Sequence, residues 1–391
     1  MKIILFLMNI FAFGGALLAS DDMDKVLSEV EKNNTTLAAL RKSVDAEKFG
    51  NKTDIFLQNP EVEFNYLWGS PSVIGDRKDF SISQTFDFPT AYRYRNQISD
   101  LRNEQAELEY QRQRLAILKE TREVCYDLIY VNALRAERLK RLDHAQSIGQ
   151  SFKERFEKGD VNILEYNNAQ LNLVNVRREV EAQEIERAAL LSALSRLNGG
   201  KAVDFSRSSY PVLEIPDDFD QWYTMAEQKN PTFGWLKKEV EISQKQADLN
   251  KAIRLPKLQT GYMSESVVGE QFQGVTLGVS VPLWENKNKV KYAKANAMAM
   301  ESVASDQKLQ FYHHLKAIHA KVIALQKNGY AYRSALGNVD NSALAKKALD
   351  MGEISIIDYM IQLSLYYESV DKLLELEKEI NKANLELIQY Q

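Results

Sequence analysis

A single cysteine, Cys125, stands among 391 residues. No disulfide can form within one copy, and no cysteine cluster can hold a metal. Cys125 reads as a small apolar residue on a helix rather than a reactive thiol. Glycine and proline are scarce, at 17 and 8 residues, below average usage. With so few breakers and so much Lys, Glu, Gln, Leu and Ala, the composition favours long helices. The net charge of −4 is mild and no long basic run stands out, which argues against a nucleic-acid partner. Of the four histidines, His313, His314 and His319 miss the i, i+4 spacing of helical zinc motifs, and His144 is isolated. Met298 and Met300 read as packing residues. There is no nucleophile–base set and no phosphate-binding glycine loop, so neither enzyme chemistry nor a metal or cofactor is expected.

Long apolar runs are also lacking, with one exception. Lys2 precedes an apolar stretch over residues 3–18, then Ala19-Ser20 and the acidic Asp21-Asp22. That is the pattern of a secretory signal over residues 1–20, short for a spanning helix of about 20 apolar residues. No cysteine follows it, so a lipoprotein start is not indicated. The mature chain is expected to be exported.

What the chain does contain is itself, twice. Gly159-Asp-Val-Asn-Ile-Leu-Glu165-Tyr166 and Gly352-Glu-Ile-Ser-Ile-Ile-Asp358-Tyr359 share one pattern, with glycines nearly half a chain apart. At nearly the same offset, Pro60-Glu-Val-Glu-Phe-Asn-Tyr66 faces Pro256-Lys-Leu-Gln-Thr-Gly-Tyr262, and Leu40, Lys42 and Val44 face Leu236, Lys238 and Val240. Internal repetition of this kind governs the fold. The expected organisation is a first repeat over 21–200, a linker over 201–220 and a second repeat over 221–391.

Each repeat reads as a helix, two strands and a long helical hairpin. A helix over 23–50 is followed by period-two alternation at 61–68, with Val62, Phe64, Tyr66 and Trp68 on one face. A second strand at 79–88 carries Phe80, Ile82, Phe86 and Phe88. From residue 90 to 146 there is neither Pro nor Gly, and Leu101, Leu108, Leu115, Arg122 and Ile129 recur every seventh position. A helix of about 55 residues would run roughly 80 Å, so it needs a partner along its length. A turn over 149–159 and a return helix over 162–198 follow. The second repeat has a helix over 222–253 broken at Asn230-Pro231, strands at 257–264 and 273–282, a helix to 336, the Gly352 turn and a last helix over 356–390. Val275, Leu277, Val279 and Val281 alternate with Thr276, Gly278 and Ser280 most cleanly of all.

Strands of 8–10 residues with one apolar and one polar or small face fit a membrane barrel with a wet lumen. Tyr66, Trp68, Tyr92, Tyr262, Trp284 and Tyr292 suit interfacial belts. Four strands cannot close, and unpaired edges in lipid cost several kcal/mol per polar group. Several copies would have to share one barrel. The alternative is a pair of ordinary hairpins packed on helices.

The set resembles the TolC-like outer-membrane efflux proteins. It rests on Asn59-Pro-Glu-Val-Glu63, on Gly278-Val-Ser-Val-Pro-Leu-Trp-Glu-Asn286 and on the two turns, 159–170 and 352–363. The Asn-Pro-Glu element looks most like the branch with heavy-metal efflux components. The resemblance implies a mainly α protein with a small β part. It implies a homotrimer whose 12-strand outer-membrane barrel, set in lipid, continues into an α-helical coiled-coil tunnel in the periplasm. It implies a passive, gated exit duct of a tripartite efflux or type I secretion system. Such a duct docks on a periplasmic membrane-fusion adaptor and an inner-membrane pump of RND or ABC type. Cargo remains open among metal ions, drugs, other small molecules and proteins.

The resemblance also places residues. Asp358 matches an acidic position at the tip constriction, and Glu165 is its counterpart in the first repeat. Three copies of Asp358 would form a carboxylate ring favouring cations. The family's second acid is replaced by Ile361. Phe156, Gly159, Asp160, Met351, Gly352 and Glu353 would form the adaptor-contact tips. From the residues alone, Asp358 is equally a first-turn acid favoured by the helix dipole, and the two glycines simply permit a turn. The competing function is a soluble periplasmic coiled-coil structural or adaptor protein.

Overall fold

The computed structural model describes residues 14–212, 215–337 and 342–390. The expected signal lies outside the described residues up to residue 13, and the backbone of 14–20 opens the first helix. The elements are α1 (Gly14–Asn33), α2 (Thr35–Gly50), β1 (Glu61–Leu67), β2 (Arg77–Phe86), α3 (Pro89–Glu157), α4 (Ile163–Leu197), α5 (Phe219–Lys229) and α6 (Pro231–Ala252). They continue with β3 (Lys257–Val267), β4 (Glu270–Ser280), α7 (Lys289–Leu336), α8 (Ser342–Asp350) and α9 (Ile356–Ile388). The chain divides into two compact units. One gathers the described parts of Met1–Ala38, Gln113–Lys229 and Tyr312–Gln391, and the other Ala39–Arg112 and Asn230–Phe311.

The first unit is helical. Val30 of α1, Leu128 and Ile129 of α3, Leu194 of α4 and Leu385 of α9 share one buried core. Cys125 lies in it, fully buried, and burial pushes its thiol up to about 12. The single helix expected over 23–50 is two helices, because Asn34 interrupts it. The Asn34 amide donates to Leu197 O at 2.8 Å, and its oxygen accepts from Leu37 N at 2.9 Å. A buried asparagine that caps the following helix gains more from the break than from continuing the turn.

Two further expectations need correction. The turn placed over 149–159 begins later, since α3 runs through Gly149 to Glu157. Gly149 serves as a contact point: a Cβ there would lie 3.4 Å from Leu173 Cδ2, and Gln170 Nε2 donates to Gly149 O at 3.1 Å. The stretch read as a linker is a strap pinned to the core through its described residues. Phe205 is only 2% exposed. Asn132 of α3 donates to the carbonyls of Phe205 and Arg207 at 3.4 and 2.9 Å, and Tyr210 donates to Tyr126 O at 3.0 Å. Burial raises the Tyr210 hydroxyl well above its ordinary value.

The second unit holds the sheet. Arg41 of α2 grips Glu107 of α3 with two bonds of 2.8 and 2.9 Å, while Ala91 and Ile98 of α3 pack on Ile242, Leu249 and Ala252 of α6. The strand order is β1-β2-β3-β4, antiparallel throughout. β3 and β4 are each 11 residues long, longer than the alternation alone marks. Val268 and Gly269 join them with φ of 48° and 83°. Two positive φ values in a two-residue loop match the twist of the flanking strands. This tight turn carries the pairing out to Val267 opposite Glu270, through polar residues that show no alternation.

The strap provides the first test. Phe205→Ala should cost about 3–5 kcal/mol, the usual range for emptying a buried aromatic site, measured by urea unfolding. A loss within about 0.5 kcal/mol, as at an ordinary surface site, would mean that this segment is a free linker.

Candidate functional site

Two regions carry the candidate residues, and each lies within one unit. The first is the sheet. Its register aligns Val62 with Ile82, Tyr262 and Val275, and places Phe86, Leu258 and Val279 in another row of the same face. No described residue covers this face: Val275, Leu277 and Val279 are 77%, 84% and 64% exposed. Several of the polar groups that interrupt it have hydrogen-bond partners. Tyr262 donates to Gln273 at 2.8 Å, Gln271 to Ser264 at 3.1 Å, and Gln84 to Gln58 O at 2.7 Å. The opposite face carries Glu61, Glu63, Ser81, Ser83, Gly261 and Thr276. Arg77 there lies 2.9 Å from Asp79 and 3.2 Å from Glu265.

Exposed aromatic residues flank the sheet at opposite ends. Tyr66 and Trp68, with ring centroids 5.8 Å apart, stand where β1 ends beside the β3–β4 turn. Trp284 follows β4 at the other end and is exposed, as is Tyr292. Tyr92 is committed elsewhere, its hydroxyl accepting from Asp87 N at 3.0 Å. The outer strands β1 and β4 each have one edge without a strand partner.

The second region is the pair of hairpin tips in the first unit, which repeat one another bond for bond. Gly159 has φ of 80°; its N–H donates to Phe156 O at 3.0 Å, and Asp160 N donates to Arg155 O at 2.8 Å. Gly352 has φ of 74°; its N–H donates to Leu349 O at 3.0 Å, and Glu353 N donates to Ala348 O at 2.9 Å. Each is a helix ended by a left-handed glycine. A reciprocal cap starts each return helix. Asn162 Oδ1 accepts from Glu165 N at 3.0 Å while Glu165 accepts from Asn162 N at 3.0 Å. Ser355 Oγ accepts from Asp358 N at 3.1 Å, and Asp358 accepts from Ser355 Oγ at 2.7 Å. Glu165 and Asp358 are therefore the third residues of capping boxes, a local role the spacing Asn-x-x-Glu and Ser-x-x-Asp already encodes.

One core joins the two tips. Phe152, Val161 and Ala169 pack with Leu349, Ile356, Tyr359 and Leu363. Tyr359 is almost fully buried, and burial pushes its hydroxyl up to about 12. Outside this core, Phe156 stacks on Tyr166 with centroids 5.1 Å apart, and Asp160, Met351 and Glu353 are exposed. Sequence reasoning missed the cluster above it. Arg141 of α3, 5% exposed, binds both oxygens of Asp371 on α9 and lies 4.5 Å from the Tyr367 ring centroid. His144 Nδ1 is 3.2 Å from the Tyr367 hydroxyl. These side chains line a cavity of about 290 Å³. Nothing in a one-dimensional pattern tells this arginine from its exposed neighbours.

Two of the other histidines have partners from distant segments. His314 Nε2 is 2.8 Å from Glu386, and His319 Nε2 is 2.8 Å from Pro216 O. Among the described residues no group of three or more His, Cys, Asp or Glu could hold a metal ion.

The tip geometry sets a graded expectation. A Cβ at Gly352 would meet nothing within 4 Å, so Gly352→Ala costs only the left-handed backbone, about 1–2 kcal/mol. Ser355→Ala should cost about 1 kcal/mol through loss of the cap. Arg141→Ala should cost about 1.5–3 kcal/mol, because it removes charged hydrogen bonds to Asp371. Denaturant midpoints check the order, and Ser355→Ala exceeding Arg141→Ala would contradict it.

No family model matches the chain, and no curated protein does. Solved structures do. The chain is similar to the outer membrane channel CmeC of Campylobacter jejuni at 15% identity and a TM-score of 0.71, over 95% of this chain and 85% of that one. Similarity to the outer membrane protein VceC of Vibrio cholerae gives 13% identity and a TM-score of 0.76, over 97% and 98%. CusC, whose structures describe transmembrane channel formation, gives 13% identity and a TM-score of 0.77, over 93% and 91%. The bare sheet and the paired hairpin tips thus belong to the fold of outer-membrane channel proteins.

Proposed function

We propose that the chain is the outer-membrane channel of a tripartite efflux or type I secretion system, a passive duct and not an enzyme. The observation that carries this reading is the sheet, apolar on its uncovered face and open at both edges. In water an apolar patch of this extent is a liability; in lipid it is a requirement. Open edges are the reverse, tolerable in water and costly in lipid. Both conditions are met if β4 of one copy pairs with β1 of the next. With four strands alternating in direction, that new pair is also antiparallel. Three copies give the 12-strand barrel the family resemblance implies, with Glu61 and Glu63 facing the lumen. The helices then form the periplasmic tunnel. A soluble adaptor would leave the same apolar face in water.

At the tips, Asp358 and Glu165 place carboxylates at the mouth, where three copies of each favour cations. Phe156, Gly159, Asp160, Met351, Gly352 and Glu353 form the surface offered to a periplasmic adaptor, behind which stands an inner-membrane pump. Asn59-Pro60-Glu61 favours the heavy-metal efflux branch as the finer assignment.

Neighbouring residues on opposite faces give the test. Val275 belongs to the apolar face; Gly274 belongs to the other, where an added Cβ meets nothing within 4 Å. Val275→Arg should block accumulation in the outer-membrane fraction, since an arginine at mid-bilayer costs about 2–4 kcal/mol per copy. Gly274→Arg should be tolerated. Equal effects of the two, or recovery of the unaltered chain wholly in the soluble periplasm, would refute the duct.

A further inference from the structure

We infer that the helix-side end of the sheet is a docking belt for anionic lipid headgroups, built from free cations where the apolar face stops. The inference rests on the membrane-spanning sheet proposed above and adds the lipid it selects. α3 leaves the sheet after β2, α6 leads into β3, and α7 follows β4, so all three helices meet the sheet at one end. The residues just beyond that end are rich in cations. Arg93 lies in the first turns of α3, Arg254 lies between α6 and β3, and Lys287, Lys289, Lys291 and Lys294 follow β4. All of these are exposed. Among the described residues, none of their side chains has a hydrogen bond or an ion pair. From residue 282 to residue 300 a single acid, Glu285, stands against the four lysines. Two other acids at this end are already taken. Asp87 binds Arg95 at 2.5 Å, and Asp248 binds Lys251 at 2.7 Å.

Helix formation does not account for this charge. Lys289 and Lys291 stand in the first turn of α7, where the helix dipole opposes a cation. No acid lies in that turn to offset them. Nor is the sheet basic throughout. At its turn end Asp76, Asp79, Glu265 and Glu270 outnumber Arg77 and Lys78, and Arg77 is paired with Asp79 and Glu265. Position selects the occupant. Exposed apolar residues run on past β4 through Val281 and Leu283 to Trp284, so the lysines begin where the apolar surface stops. With the sheet in lipid, that is the headgroup level of the leaflet facing the periplasm. Basic residues clustered just outside a spanning segment attract anionic headgroups. Their pull fades over a Debye length of about 8 Å. An acidic protein segment would answer the charge but leave Leu283 and Trp284 in water. An anionic lipid answers both, with its phosphate at the lysines and its chains on the apolar residues.

Trp284 stands beside the lysines and reports the lipid next to it. Trp222 and Trp235 lie in α5 and α6, so Trp68→Phe leaves Trp284 as the tryptophan beside the sheet. That chain is reconstituted into phosphatidylcholine vesicles with an equal minor share of brominated phosphatidylglycerol or brominated phosphatidylcholine. Quenching of Trp284 should show phosphatidylglycerol enriched about five-fold over its bulk share, the equivalent of one lysine contact of about 1 kcal/mol. High salt should shrink the enrichment. Lys287→Gln, Lys289→Gln, Lys291→Gln and Lys294→Gln together should abolish it, and the same four positions changed to Arg should preserve it. Equal quenching by the two brominated lipids, or a preference that survives the Gln substitutions, would overturn the belt while leaving the duct intact. A chain that enters neither kind of vesicle, with Trp284 quenched by neither lipid, would overturn both.

Discussion

Backbone amides at a sheet edge must find partners, and in lipid only another strand can supply them. That constraint organises the molecule. β1 and β4 each carry a row of unpartnered groups, and the face between them is apolar and bare. Neither feature is stable alone in the setting that suits the other. Copies paired edge to edge, as proposed, would reconcile them. Polar groups that stray onto the apolar face follow the same rule on a smaller scale, as where Tyr262 bonds Gln273 and Gln271 bonds Ser264.

Helix ends pose the same problem in another form. The last carbonyls of a helix and the first amides of the next have no partner within it. At both tips a left-handed glycine closes one helix and a reciprocal cap opens the next. The repeated Gly-acid-aliphatic-polar-aliphatic-aliphatic-acid pattern is that solution written twice. Its acids satisfy amides before they do anything for a permeating ion.

The parts legible in the sequence were those set by local periodicity. Alternation at Val275, Leu277 and Val279 marked a strand and its apolar face, and Gly159 and Gly352 marked turns. Illegible were the features set by contacts between distant segments. Gly149 looks like a breaker but lies inside α3, packed beside Leu173 of α4. The stretch around Phe205 has the composition of a linker, yet Phe205 fills a core site and carbonyls of the stretch are taken by Asn132. Arg141 is buried only because Asp371 and Tyr367 of another helix receive it. Asp358 carried two readings at once, and the distance to Ser355 adds the capping role without removing the charge.

The central claim is that one chain is an incomplete barrel. The mass of the complex drawn from membranes by mild detergent measures this most directly. The account predicts extraction only with detergent, as an assembly of three chains. Release without detergent as a single folded chain would contradict it, because the bare face and both edges of the sheet would then be stable in water.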